Sequence, residues 1–281
     1  MDFEREPLVQ SLRKIEANKF QPENGRKAAE YLPAMLQFLG DPDPELRDEL
    51  IYSTLANWVT NEGFLTPTDL VWLLVQSLDK DHLFYKIGHH GETSIFTRSF
   101  SVLTIALLLY QHRKQAFLSQ NEVSNTKAAL LAYLAQEKDW RGYTADYGWA
   151  HAAAHSADAL DELVQCHEVD ATGQKEVLAA LIPVLWNGGA LFCDEEDERI
   201  SALVCSIIQT GKLAAHEIIE WSHQLLACLE QPRSHAQFCA RVNSKNLMRC
   251  LYFRFQSRED TTSVLLASEF LTIAQKLNKY L

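Results

Sequence analysis

Apolar residues recur at spacings of three to five along almost the whole chain. Leu8, Leu12 and Ile15 begin the pattern, Leu46, Leu50, Leu55 and Val59 continue it, and Val264, Leu265, Phe270 and Ile273 close it. This is the period of one buried face of an α-helix. No stretch alternates long enough to predict a sheet. Punctuation falls where helices end: Gly40-Asp-Pro-Asp-Pro44, Asn61-Glu-Gly63, Thr66-Pro67, Gly88 to Gly91, Arg141-Gly142, Asn187-Gly-Gly189, Gly211 and Pro232. The pattern predicts an all-α protein of about a dozen ordinary helices joined by short loops.

One junction has more character. Leu39-Gly-Asp-Pro-Asp-Pro-Glu-Leu-Arg-Asp48 is built like the turn of a HEAT-type helix pair, in which a proline starts the second helix and Asp/Arg pairs tie neighbouring helices together. No second copy aligns with it. The expected fold is therefore an irregular HEAT-like or armadillo-like α-solenoid, curved α/α layers of antiparallel helix pairs without strict repetition. No linker rich in Pro, Gly or Ser interrupts the chain, which predicts a single all-helical domain over residues 1–281.

Composition narrows the function classes. Of 281 residues 47% are apolar and 10% aromatic, ample for a core. The acidic start MDFEREPL lacks the basic-then-apolar order of a secretory signal. The longest apolar run, Val102 to Tyr110, is shorter than the roughly 20 residues that span a bilayer. A cytoplasmic protein without membrane partners is expected. The six cysteines all lie in the second half without a C-x-x-C pair, so neither a zinc knuckle nor a disulfide framework is expected. With 26 basic and 37 acidic side chains the net charge is -11, which repels phosphate backbones and argues against nucleic acid as a partner.

The candidate chemistry lies in DYGWAHAAAHSADALDE, residues 146 to 162. At roughly 100° per residue from His151, His155 falls at about +40°, Asp158 at about -20° and Glu162 at about +20°, one narrow stripe of ionisable groups. Asp161 sits to the side at about -80°. Trp149, Ala153, Ala157, Leu160, Leu163 and Val164 form the apolar face. Ala150, Ala152, Ala154 and Ala159 flank the stripe with no long side chain, so adjacent helices could approach closely and make the stripe the floor of a groove.

Three readings stand side by side: a solvated face, a buried His/acid network that locks helices together, and a functional site. In the third, His/His at i, i+4 and His/Asp at i, i+3 are spacings at which His151, His155 and Asp158 could share a divalent ion, zinc or manganese. His151 and Asp158 are about 10.5 Å apart along the axis, so a further ligand must come from elsewhere. His89, His90, Glu92, Asp139 and the acids of CDEEDERI are the available donors. The acids Asp194 to Glu198 also suit the opening turn of a helix, with Arg199 turned to pair one of them. Arg98, on a helix that soon becomes strongly apolar, requires a carboxylate partner or an anionic ligand. No G-x-S-x-G elbow and no phosphate-binding glycine loop occurs, and no catalytic nucleophile can be named.

FTRSFS (96 to 101), EKDWRGYTADYGWAHAAAHSADALDEL (137 to 163) and EDERI (196 to 200), after LGDPDPELRD (39 to 48), together resemble the bacterial family catalogued as domain of unknown function 2785, over about residues 30 to 210. The resemblance implies a largely helical cytoplasmic protein with no activity to inherit. It marks Arg98, Arg141, Trp149, His151, His155, Asp158, Asp161, Glu198 and Arg199 as motif positions without assigning them roles. The function expected from the sequence is that of a module binding a protein or small-molecule ligand in a groove made by His151, His155, Asp158 and Glu162, with Arg98, Arg141 and Trp149 nearby. The alternative is a metal-dependent hydrolase in which His151, His155 and Asp158 hold the ion and an arginine neutralises an anionic substrate.

Overall fold

A computed structural model describes residues 4–23 and 25–280. They are helical almost throughout, and they cluster into two compact units, Met1–Glu162 and Leu163–Leu281. The boundary between the units falls inside a helix, so no change of composition marks it in the sequence.

In the first unit α1 (Arg5–Ala17) is followed by a 3-10 turn (Ala28–Tyr31) that runs into α2 (Leu32–Gln37). A π-helical segment (Glu45–Tyr52) then runs into α3 (Ser53–Thr60), and α4 (Pro67–Ser77), α5 (Ser94–Lys114) and α6 (Gln120–Gln136) follow. A two-stranded hairpin of β1 (Tyr143–Thr144) and β2 (Gly148–Trp149) precedes α7 (Ala152–Val164). The second unit holds α8 (Ala171–Leu185), α9 (Glu196–Thr210), α10 (Ala215–Gln224), α11 (His235–Phe255) and α12 (Thr261–Leu277).

The helix starts follow local chemistry. Thr66 caps α4 by accepting from the Asp69 N–H while Asp69 accepts from the Thr66 N–H, with Pro67 at the first helical position. Ser119 and Glu122 repeat the reciprocal cap on α6. Of the acids Asp194 to Glu198, Glu196, Asp197 and Glu198 lie in the first turn of α9, and Glu195 precedes it with φ 66°. Glu198 pairs with Arg254 of α11 at 2.7 Å.

The core of the first unit is α5. It packs against α3 and α4 and buries Ile95, Phe96, Phe100, Val102, Ile105, Leu108 and Leu109. By length and composition this 21-residue helix could cross a membrane, yet 78% of its most apolar window is buried inside the fold. In the second unit α11 packs on α12, where Phe255 meets Phe270 edge-on at 6.0 Å.

The 39–48 junction does the tying expected of it. Arg5 on α1 donates to Asp41 at 2.9 Å and to Asp43 at 2.7 Å. Arg47 is fully buried, and its guanidinium donates to the carbonyls of Asp41 (2.8 Å) and Tyr147 (2.7 Å) and to Asp48 (3.0 Å). The same group lies over the rings of Phe96 and Phe100, at 4.2 and 5.0 Å.

The start of α7 differs from the sequence reading, which places Trp149 and His151 within the helix. Trp149 instead lies in β2, 41% exposed, and His151 adopts φ 47° just before the helix, its carbonyl accepting from the His155 N–H at 2.9 Å. The hairpin takes Trp149 because Gly148 supplies φ 74° after a three-residue loop. Tyr143 and Trp149 pair across the strands with their rings 4.8 Å apart.

Candidate functional site

The alanines of α7 are interior, and His155 reaches across to α5. Ala152, Ala153, Ala154, Ala157 and Ala159 are all buried. His155 Nδ1 stands 3.2 Å from the Ser99 carbonyl of α5, and its ring meets Phe100 edge-on at 5.3 Å. His155 is thereby only 7% exposed, an interior side chain joining two helices. His151 stacks on Trp149 with centroids 4.2 Å apart and stands edge-on to His155 at 5.8 Å. Among the described residues, His151, His155 and Asp158 do not together make a set of three converging donor atoms.

Further along α7 the stripe opens. Asp158, Asp161 and Glu162 line a groove of about 330 Å³ whose other walls include Tyr52, Leu103, Leu107 and Tyr110. Tyr52 is the last residue of the π-helical segment, and the other three lie on α5. Burial lifts the Glu162 carboxyl above the ordinary carboxylate range; the Arg113 guanidinium paired with it opposes that rise, while Asp161 and Asp158 add to it. The groove is thus a place where negative charge is crowded beside two phenol rings. Asp161, to the side on the helical wheel, belongs to it, whereas His151 and His155 do not line it.

Arg98 and Arg141 serve a separate structure. Arg98 and Glu137 are both fully buried, and Glu137 accepts from Arg98 Nε at 2.6 Å and Nη2 at 2.9 Å. The remaining Arg98 hydrogens go to the carbonyls of Tyr85 (3.1 Å), Lys86 (3.3 Å) and His89 (3.2 Å) and to Ser94 Oγ (3.2 Å). Asp139 accepts from Arg141 at 2.6 and 2.8 Å and from the Gly91 N–H at 2.9 Å, and Arg141 donates to the Glu92 carbonyl at 2.8 Å. Burial by itself would raise the Asp139 carboxyl, but the bonds from Arg141 and Gly91 outweigh it and hold the group below its ordinary value. Together the two ion pairs fix the loop over residues 85–92 by its backbone. That loop leaves His89 and His90 exposed, with His89 Nδ1 3.2 Å from Glu92.

The sequence requires a carboxylate or an anion for Arg98, and Glu137 is that carboxylate. Tyr52 and Tyr110 escape a sequence reading, because both stand in segments that read as core; Tyr110 ends the longest apolar run yet is 38% exposed. No spacing rule connects either residue to α7.

These features define an all-helical protein in which Arg98 and Arg141 hold the 85–92 loop by its backbone while Asp158 and Asp161 line an acidic, tyrosine-walled groove. The chain belongs to the family described as protein of unknown function (DUF2785), whose model matches residues 83–253. The match takes in the Arg98 segment, the 137–163 run and α9, extends into α11, and leaves out the 39–48 junction. No curated protein and no solved structure matches the chain.

Proposed function

We propose that the chain is a binding module and that the groove beside α7 receives a lysine or arginine side chain from a basic segment of a partner protein. The observation that carries this reading is the juxtaposition of Asp158, Asp161 and Glu162 with Tyr52 and Tyr110 around about 330 Å³. Carboxylates pair with ammonium or guanidinium groups, and phenol faces attract the same cations. Arg113 offsets part of the charge at Glu162, and an incoming cation would offset more. Local packing supports a HEAT-like stacking within each unit. Contacts run α1 to α3, α3 to α5 and α4 to α5 in the first unit, and α9 to α11, α10 to α12 and α11 to α12 in the second.

The test is a calorimetric titration of the full chain with a tri-lysine or tri-arginine peptide. Binding is expected to weaken as salt is added. The double substitution Asp158→Asn/Asp161→Asn is expected to weaken it by about tenfold or more, the equivalent of about 1.4 kcal/mol. Peptide binding that is undetectable, or unchanged in the double variant, would overturn the reading. If spermidine binds more tightly than either peptide, the groove serves a small amine instead of a protein segment. If zinc or manganese binds stoichiometrically and the binding is lost in His155→Ala, the metal-dependent hydrolase becomes the better reading.

A further inference from the structure

Two stretches that the groove leaves unused, the Leu39–Asp48 junction and the FTRSFS segment, meet on another cavity of the first unit. It encloses about 460 Å³, a volume typical of small-ligand sites. Its polar walls include Asp41 from the junction, Thr97 from α5, and Asp81, His82 and Tyr85 from the segment after α4. The walls are fixed in place. Gly40 lies so close to α5 that a Cβ there would collide with Thr97 Oγ1 and with the Thr97 backbone, and the Arg98 guanidinium holds the Tyr85 carbonyl at 3.1 Å.

His82 carries the chemistry of this cavity. Its Nδ1 lies 2.8 Å from Asp79 Oδ1, and Asp79 is itself oriented by accepting from the Asp81 N–H at 2.8 Å. A carboxylate only accepts, so Nδ1 carries the hydrogen and Nε2 of the neutral ring is the acceptor. His82 lines the cavity whereas Asp79, which holds its Nδ1, does not. With 14% of its side chain exposed, His82 is shielded but reachable.

Two of the nearby carboxylates have cationic partners, Asp41 with Arg5 and Asp81 with Lys80, while Asp79 receives a hydrogen bond from the neutral His82 ring. Lining the cavity are the His82 imidazole, the Thr97 and Tyr85 hydroxyls, the Asp41 and Asp81 carboxylates and the half-buried side chain of Phe38. Carboxylate and imidazole acceptors, hydroxyls and an aromatic side chain together match a neutral molecule with several hydroxyl groups and a C–H face. A metal requires at least three converging donors, and among the described residues no such cluster includes His82. We propose that this cavity binds a small neutral polyhydroxylated ligand, with His82 Nε2 accepting a ligand hydroxyl and Asp79 setting the ring's tautomer. The proposal is independent of the α7 groove.

The experiment follows the His82 ring nitrogens by 15N NMR in the full chain while ribose, glucose and myo-inositol are added in turn to millimolar concentration. At least one of them is expected to move the Nε2 resonance saturably. Thr97→Val removes one hydroxyl and is expected to weaken that binding several-fold, up to about tenfold. Asp79→Asn should weaken it and redistribute the ring's tautomers, which the two nitrogen shifts report directly. His82→Gln, checked for an unchanged melting temperature, should abolish the binding seen by calorimetry. The proposal is overturned if none of the three probes moves the His82 resonance, or if the calorimetric affinity is the same in Thr97→Val and Asp79→Asn as in the parent chain.

Discussion

Arg98 and Glu137 are both buried completely, so neither charge can be removed without stranding the other. Arg98→Met is expected to cost about 3–5 kcal/mol of stability in a urea unfolding experiment, the magnitude for breaking one side of a buried pair. Arg98→Lys should recover little of it, because an ammonium lacks the planar fork that reaches Glu137 together with three backbone carbonyls. Asp139 gives a pH-dependent counterpart. Its folded value lies below the ordinary 3.8, so its contribution is fully present above that pH and is lost as pH falls through the depressed value. The stability gap between the parent chain and Asp139→Asn should therefore be constant near neutrality and close in acid, as followed by unfolding at a series of pH values. At this scale the sequence discloses needs and not partners. An arginine entering an apolar helix announces that a carboxylate must meet it, but Glu137 stands 39 residues away, and no local pattern encodes that distance.

At the scale of elements, helical periodicity locates most of the helices, and the capping residues Thr66, Ser119, Asp170 and Asp260 mark real starts. The discrepancy at α7 has a physical cause. Strands of two residues are too short to show alternation, so in the sequence the hairpin before Ala152 passes for the helix's first turns. A helical wheel then misplaces His151, which has φ 47° and lies outside the helix. The alanines of α7 are buried and His155 rests against α5, while the groove forms nearer the other end of α7. The joint between the 39–43 turn and α5 is tight. Gly40→Ala is expected to destabilise by about 1–3 kcal/mol, toward the upper end because the added methyl would meet the Thr97 backbone N, which cannot swing aside as a side chain would. A thermal melt of the variant beside the parent chain checks this.

For the molecule as a whole, the all-helical class and the net charge of -11 are legible in the sequence, since both are sums that do not depend on contacts. The division into Met1–Glu162 and Leu163–Leu281 is not, because it falls within α7 where composition is continuous. Net negative charge also sets the kind of partner the chain meets fastest, a basic one, at a rate that salt should reduce. The most direct measurement is to add a tri-lysine peptide to protein with labelled leucine methyls and histidine rings and to record which signals move. Shifts at Leu103 and Leu107, with His151 and His155 unmoved, are the expected result and place the cation in the groove. Shifts confined to His151 and His155, or none at all, would contradict the account and return attention to the histidines where the sequence places the site.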